Sequence, residues 1–216
     1  MVVKTLENIF MGLYYGSLLG AIYCSVTFKN NHSKAFQKLW IYLILTLIVE
    51  MYTHYENKTG GKFLHVYVML APFEYFFISQ LYLEKFKDKF LKNFIVFTLI
   101  AYTILCAFLL IDFKNSNHYF AFNLRGILII ILTLIYFKVL YQKDELLALS
   151  NQPLFWLSIG NFIFWPGIFF VMGFTSILVN IDKELNAKLF LLNPLLNAFY
   201  YGTFIAGFLC NRTPKK

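Results

Sequence analysis

Charge is what this chain has least of. Asp, Glu, Lys and Arg make up only 14% of its 216 residues, against 59% hydrophobic and 20% aromatic. A soluble globular chain carries roughly a quarter charged residues, so the balance excludes that class and indicates an integral membrane protein. Histidine is scarce as well. There are four, of which His32 and His118 lie between apolar runs, and this rules out a multi-histidine di-iron centre within the membrane. The three cysteines, Cys24, Cys106 and Cys210, are far apart and form no CxxC or other metal spacing, which argues against a disulfide framework or a thiolate-held metal. No stretch is long enough for a soluble domain, and there is no linker or low-complexity tract. The net charge of +8 is split into short clusters between apolar runs, so nucleic acid is not an expected partner.

What the chain does have is apolar runs of spanning length. A helix needs about 20 mostly apolar residues to cross a bilayer, and seven segments qualify: 6–28, 35–55, 63–83, 90–111, 119–140, 154–178 and 187–209. Lys, Asn, Asp, Gly or Pro punctuates each gap, and most gaps are short, so consecutive helices should be antiparallel neighbours. The expected fold is an all-α, polytopic seven-transmembrane-helix bundle forming a single domain over residues 1–216. Lys4 before the first run resembles the start of a signal peptide, but the run is long for one and no A-x-A-like cleavage site follows, so the segment is read as a permanent span.

Orientation follows from the lysines and arginines of the short loops. Loops after the odd-numbered segments, with the C-terminal tail, hold twelve, from Lys29 to Lys216; the N-terminus and the other loops hold six. That places the N-terminus outside, the C-terminus in the cytoplasm, and the protein in the cell membrane as a multi-pass species. The remaining cation, Arg125, lies inside the fifth segment.

Arg125, Glu50 and Glu74 interrupt runs otherwise as apolar as lipid. A charge at the bilayer centre costs at least ~2.5–3.5 kcal/mol, so such residues face a partner, a cavity or a substrate. Counted at ~1.5 Å per residue from the expected outer surface, all three fall between that surface and the midplane, together with Asn193 and Asn197 of the seventh segment. His65 lies nearer the surface, and the sixth segment brings Asn161 and Trp165 to mid-depth. Glu50 and His54 are four residues apart, hence on one helix face, and His65 is expected roughly on the face of Glu74. These residues, with Tyr200, predict a polar ligand-binding pocket in the outer half of the bilayer, with Arg125 as counter-ion to one glutamate. Glu50-x-x-x-His54 has a metal-compatible helical spacing, yet too few further ligands accompany it, so neither metal nor cofactor is expected. Prolines border the same layer: Ala71-Pro72, Trp165-Pro166-Gly167 and Asn193-Pro194, each expected to release a backbone carbonyl and kink its helix.

The pattern predicts a small-molecule or lipid-binding protein of sensor or receptor type, with output through a cytoplasmic or membrane partner protein. A transporter with three-plus-one-plus-three helices is the alternative: Pro72 before Glu74 and Pro194 before Asn197 form a faint parallel repeat. A lipid-modifying enzyme with glutamate acid/base chemistry beside His54 or His65 is the third reading; no catalytic residue stands out. A retinal protein is not expected, because the seventh segment carries its lysine, Lys188, at the outer end and not at mid-depth.

Overall fold

The computed structural model describes residues 2–59, 64–111, 118–142, 149–178 and 181–210. Among them the secondary structure is helical, with no strand: α1 (Val2–Phe28), a 3-10 turn (Lys29–Asn31), α2 (Lys34–Gln37), α3 (Leu39–Thr59), α4 (Leu64–Lys85), α5 (Lys89–Ile111), α6 (His118–Tyr141), α7 (Pro153–Leu178), α8 (Lys183–Phe190) and α9 (Leu192–Leu209). Seven stretches of helix are long and apolar enough to cross a membrane, from Thr5–Asn31 to Glu184–Leu209. The expected all-helical, seven-span architecture is therefore present, and each expected segment coincides with one of these stretches to within a few residues.

Two spans are composite. Before α3, Ser33 caps the single turn of α2 by accepting from the Phe36 amide at 3.5 Å, and the chain tightens at Lys38, whose carbonyl accepts from Ile41. In the last span, Asp182 caps α8 through the amides of Glu184 and Leu185, at 3.0 and 2.9 Å. The helix then tightens at Leu191, whose amide donates to Lys188 at 3.2 Å, before α9 begins. The expected kink at Asn193-Pro194 is thus a one-residue tightening three residues earlier, with Leu191 itself still in the right-handed helical region at φ −62° and ψ −21°. The carbonyl that Pro194 would strip of its donor is that of Phe190, the last residue of α8, and Pro194 sits in the first turn of α9, where a missing N–H costs nothing. Pro72 and Pro166 instead lie inside continuous helices, α4 and α7.

The helices divide into two compact units. One is contiguous, Ser33–Gln142; the other combines Met1–His32 with Lys143–Lys216.

In the contiguous unit α4 is the hub, packed by α2, α3, α5 and α6. Its residues Val68, Ala71, Tyr75, Ile78 and Tyr82 are buried at three- and four-residue steps, the spacing of one helical face. A second buried row, Leu70, Glu74, Phe77 and Leu81, runs beside it. A helix covered on two rows must find partners for every polar atom it carries, because neither water nor lipid supplies them.

In the other unit α9 is packed by α1 and α7. Small residues allow the close approach. A Cβ on Gly160 of α7 would collide with Thr203 of α9, and one on Gly167 would come within 2.8 Å of the Leu196 side chain. Both glycines lie seven residues apart on one face of α7, the small-residue seam that lets membrane helices pack by van der Waals contact. On the other side of α9, Tyr14 of α1 stacks on Tyr201 at 5.9 Å between centroids. The C-terminal end of α9 is pinned by His32, whose Nε2 donates to the Phe208 carbonyl at 3.2 Å while its ring meets the Phe208 ring edge-on.

Candidate functional site

The site is best built outward from Glu74. Two residues after Pro72, it sits on the second buried row of α4, and its Oε2 accepts from Arg125 Nη1 of α6 at 2.7 Å. The side chains keep only 8% and 4% of their surface exposed. This settles which glutamate the buried arginine pairs with. A charge pair so enclosed lies in a medium of low dielectric, where attraction and desolvation cost are both large.

Aromatic and small polar groups close around the pair. The Arg125 guanidinium lies over the Phe122 ring, one helical turn earlier, with its carbon 4.9 Å from the centroid. A desolvated cation gains from the negative ring face in such a position. Next to Glu74, the Tyr75 hydroxyl bonds to the Thr98 hydroxyl of α5 at 2.8 Å, and its ring meets Tyr102 edge-on at 5.6 Å. The Tyr102 hydroxyl donates to the Ala121 carbonyl at 2.9 Å, which joins α5 to the start of α6, and the Cys106 thiol lies against it. Three helices thus each contribute polar atoms to one buried layer. About two turns further along α4, a separate link joins Tyr82 to Thr133 of α6 at 2.9 Å.

Glu50 belongs to a different contact. Its Oε1 accepts from the Tyr67 hydroxyl of α4 at 3.1 Å, and that hydroxyl also meets Thr53 at 3.2 Å. The carboxylate is half-buried, while His54, one turn on, is exposed. His65 is half-buried on α4. The expectation that His65 shares a face with Glu74 fails on helix geometry: nine residues are two and a half turns, so the two side chains leave opposite sides of α4. Acid/base chemistry coupling Glu74 to a histidine therefore gains nothing from the arrangement.

The other five expected site residues fall in the second unit. Asn161 and Trp165 are buried on α7 among Leu157, Ser158, Phe164 and Ile168, one helical face. Tyr200 is buried on α9, where its ring stacks on Phe164 at 4.5 Å. Asn193 and Asn197 are bonded to each other. The Asn197 amide donates to both the backbone carbonyl and the side-chain oxygen of Asn193, at 3.0 and 2.9 Å. Their four-residue spacing already signals such a pair. Of the ten residues expected at the site, Glu50, His54, His65, Glu74 and Arg125 lie in the unit Ser33–Gln142 and the remaining five in the other.

Thr98, Tyr102, Cys106 and Phe122 surround the ion pair but are not singled out by sequence. The signal for two of them is weak but real. A tyrosine inside an apolar run must place its hydroxyl somewhere, and Phe122 stands three residues before the only arginine within a span.

Among the described residues, no group of three or more His, Cys, Asp or Glu could hold a metal ion. Comparison with protein-family models, with curated proteins and with solved structures found no match to this chain.

Proposed function

We propose that the chain is a multi-pass cell-membrane protein of sensor or receptor type that binds a small molecule or lipid, with Glu74 and Arg125 as the groups the ligand engages. The observation that carries this reading is the closed, nearly inaccessible Glu74–Arg125 pair between apolar helices. Such charges are costly in a bilayer and are usually tied to function, and a buried ion pair adds little stability over apolar residues of similar volume. An anionic group on a ligand would compete with Glu74 for Arg125. A proton or a cation would compete for Glu74. Either event opens the contact between α4 and α6, and a ligand with different affinity for the open and closed pair shifts the balance between them. With the N-terminus outside, as the lysine distribution favours, Glu74 lies in the outer half of the bilayer. The signal then passes to a partner protein.

One observation favours transport as a second reading. Pro72 lies inside α4 two residues before Glu74, and it leaves the Val68 carbonyl without its helical donor. Backbone carbonyls released from their helical bonds serve with membrane carboxylates as coupling-ion ligands in transporters, and here the release occurs within the continuous helix α4.

Native mass spectrometry with lipid extraction tests the first reading on the purified protein, wild type beside Glu74→Gln and Arg125→Gln. A specific molecule held by the wild type and lost from both variants is the expected result. Uptake into proteoliposomes that Glu74→Gln abolishes would move the assignment to transport. Nothing retained and nothing transported would reduce the pair to a tie between helices.

A further inference from the structure

At one end of the contiguous unit, lysines gather around helix ends. Lys85 closes α4, Lys87 lies in the turn, and Lys89 and Lys92 open α5. Lys34 is brought to the same end because the Ala35 amide donates to Glu84 Oε1 at 2.8 Å, tying α2 to the last turn of α4. Lys138 belongs there too, since Tyr136 on the same turn of α6 meets the Tyr82 ring of α4 at 5.9 Å. All six are exposed.

The nearby carboxylates are already engaged. Glu84 holds the Ala35 amide, and Asp88 caps α5, its Oδ1 accepting from the Phe90 amide at 2.8 Å. The six cations share a rim that also presents large exposed rings, Phe90 and Tyr141 at 73% and 75%. Aromatic side chains at a span's end sit at headgroup depth, so the lysines beside them are level with lipid phosphates.

We propose that this end of the unit is a binding surface for anionic phospholipid headgroups of the surrounding bilayer, with the turn from Lys85 to Lys92 as its centre. The inference is independent of any role for Glu74 and Arg125. Charge complementarity supplies the attraction, and each lysine near an anionic surface contributes about fivefold to association at moderate salt.

Full-length protein in vesicles of phosphatidylcholine doped with spin-labelled phosphatidylglycerol or phosphatidylcholine tests it. The wild type should show at least a roughly fivefold preference for the anionic label, which falls as salt is raised. The variant Lys85→Gln/Lys87→Gln/Lys89→Gln/Lys92→Gln should lose most of that preference, and Lys188→Gln on α8 should keep it. A version with arginine at the same four positions should retain it, which separates charge from fold. Equal association of the two labels at low salt, or a preference that survives in the glutamine variant, would overturn the proposal. Should the glutamine variant fail to fold, the wild-type salt dependence decides, since a salt-insensitive preference also overturns it. A lysine cluster that ignores lipid but retains an acidic soluble protein would mean a protein partner instead.

Discussion

Glu74 and Arg125 depend on each other in a way that a single substitution exposes. Arg125→Leu leaves a carboxylate in an apolar layer, and Glu74→Leu leaves a guanidinium there; each should cost about 3–5 kcal/mol, as for a buried pair broken on one side. Replacing both together should restore most of the loss, because two leucines need no partner. Thermal unfolding in one detergent, followed by helix content across the four proteins of the cycle, measures this directly. The tyrosine links are weaker. Tyr75→Phe deletes the bond to Thr98 and should cost only about 0.6 kcal/mol, the mean for a polar link between membrane helices. A loss above ~2 kcal/mol would mean that Tyr75 does more than tie α4 to α5. His32 behaves differently because it lies outside the spans. Burial holds its pKa below the usual value near 6.5, and the bond to the Phe208 carbonyl opposes that only in part. The folded state thus prefers the neutral ring. Stability contributed here is complete above pH ~6.5 and declines as pH falls below that value, by at most ~1.4 kcal/mol per unit. His32→Gln should flatten that slope between pH 6.5 and the folded pKa, read from unfolding midpoints at a series of pH values.

Among the elements, the α7–α9 seam is the most constrained. Gly160→Val drives a branched side chain into Thr203 and should destabilise by about 1–3 kcal/mol, the usual range for an overpacked contact. Gly173→Ala on the same helix meets nothing within 4 Å and should be neutral or slightly stabilising. Unfolding midpoints of the two variants, measured side by side, separate a packing seam from a general sensitivity of α7. The elements themselves are legible in the sequence, since length and hydropathy are local properties and each span is bounded by its own polar residues. Their internal breaks are less so. The Pro194 signal is real but displaced, because proline acts on a carbonyl four residues before it and the helix yields there.

At the scale of the whole molecule, what sequence cannot supply is rotation. Glu50 and Glu74 look alike as carboxylates in apolar runs, yet one meets a tyrosine and the other an arginine. Which outcome each reaches depends on how α3 and α6 turn against α4, and that is decided by the packing of many apolar side chains together. Even so, the buried ion pair of the unit is legible in the sequence as two charges inside apolar runs. The surrounding tyrosines were visible only as a demand for partners whose identity awaits the fold.

The arrangement of the units has a consequence for how the chain is made. The second unit is interrupted by the first, and His32 reaches Phe208 across 176 positions of sequence. During vectorial synthesis, α1 is released into the bilayer long before α9 exists, with Leu18 and Ala21 facing lipid and not the helix that later buries them. The helices α3 to α6 find their main partners within one continuous stretch and can settle while α1 waits. The interval in which α1 lacks the helix that packs it is therefore set by the length of chain made between them.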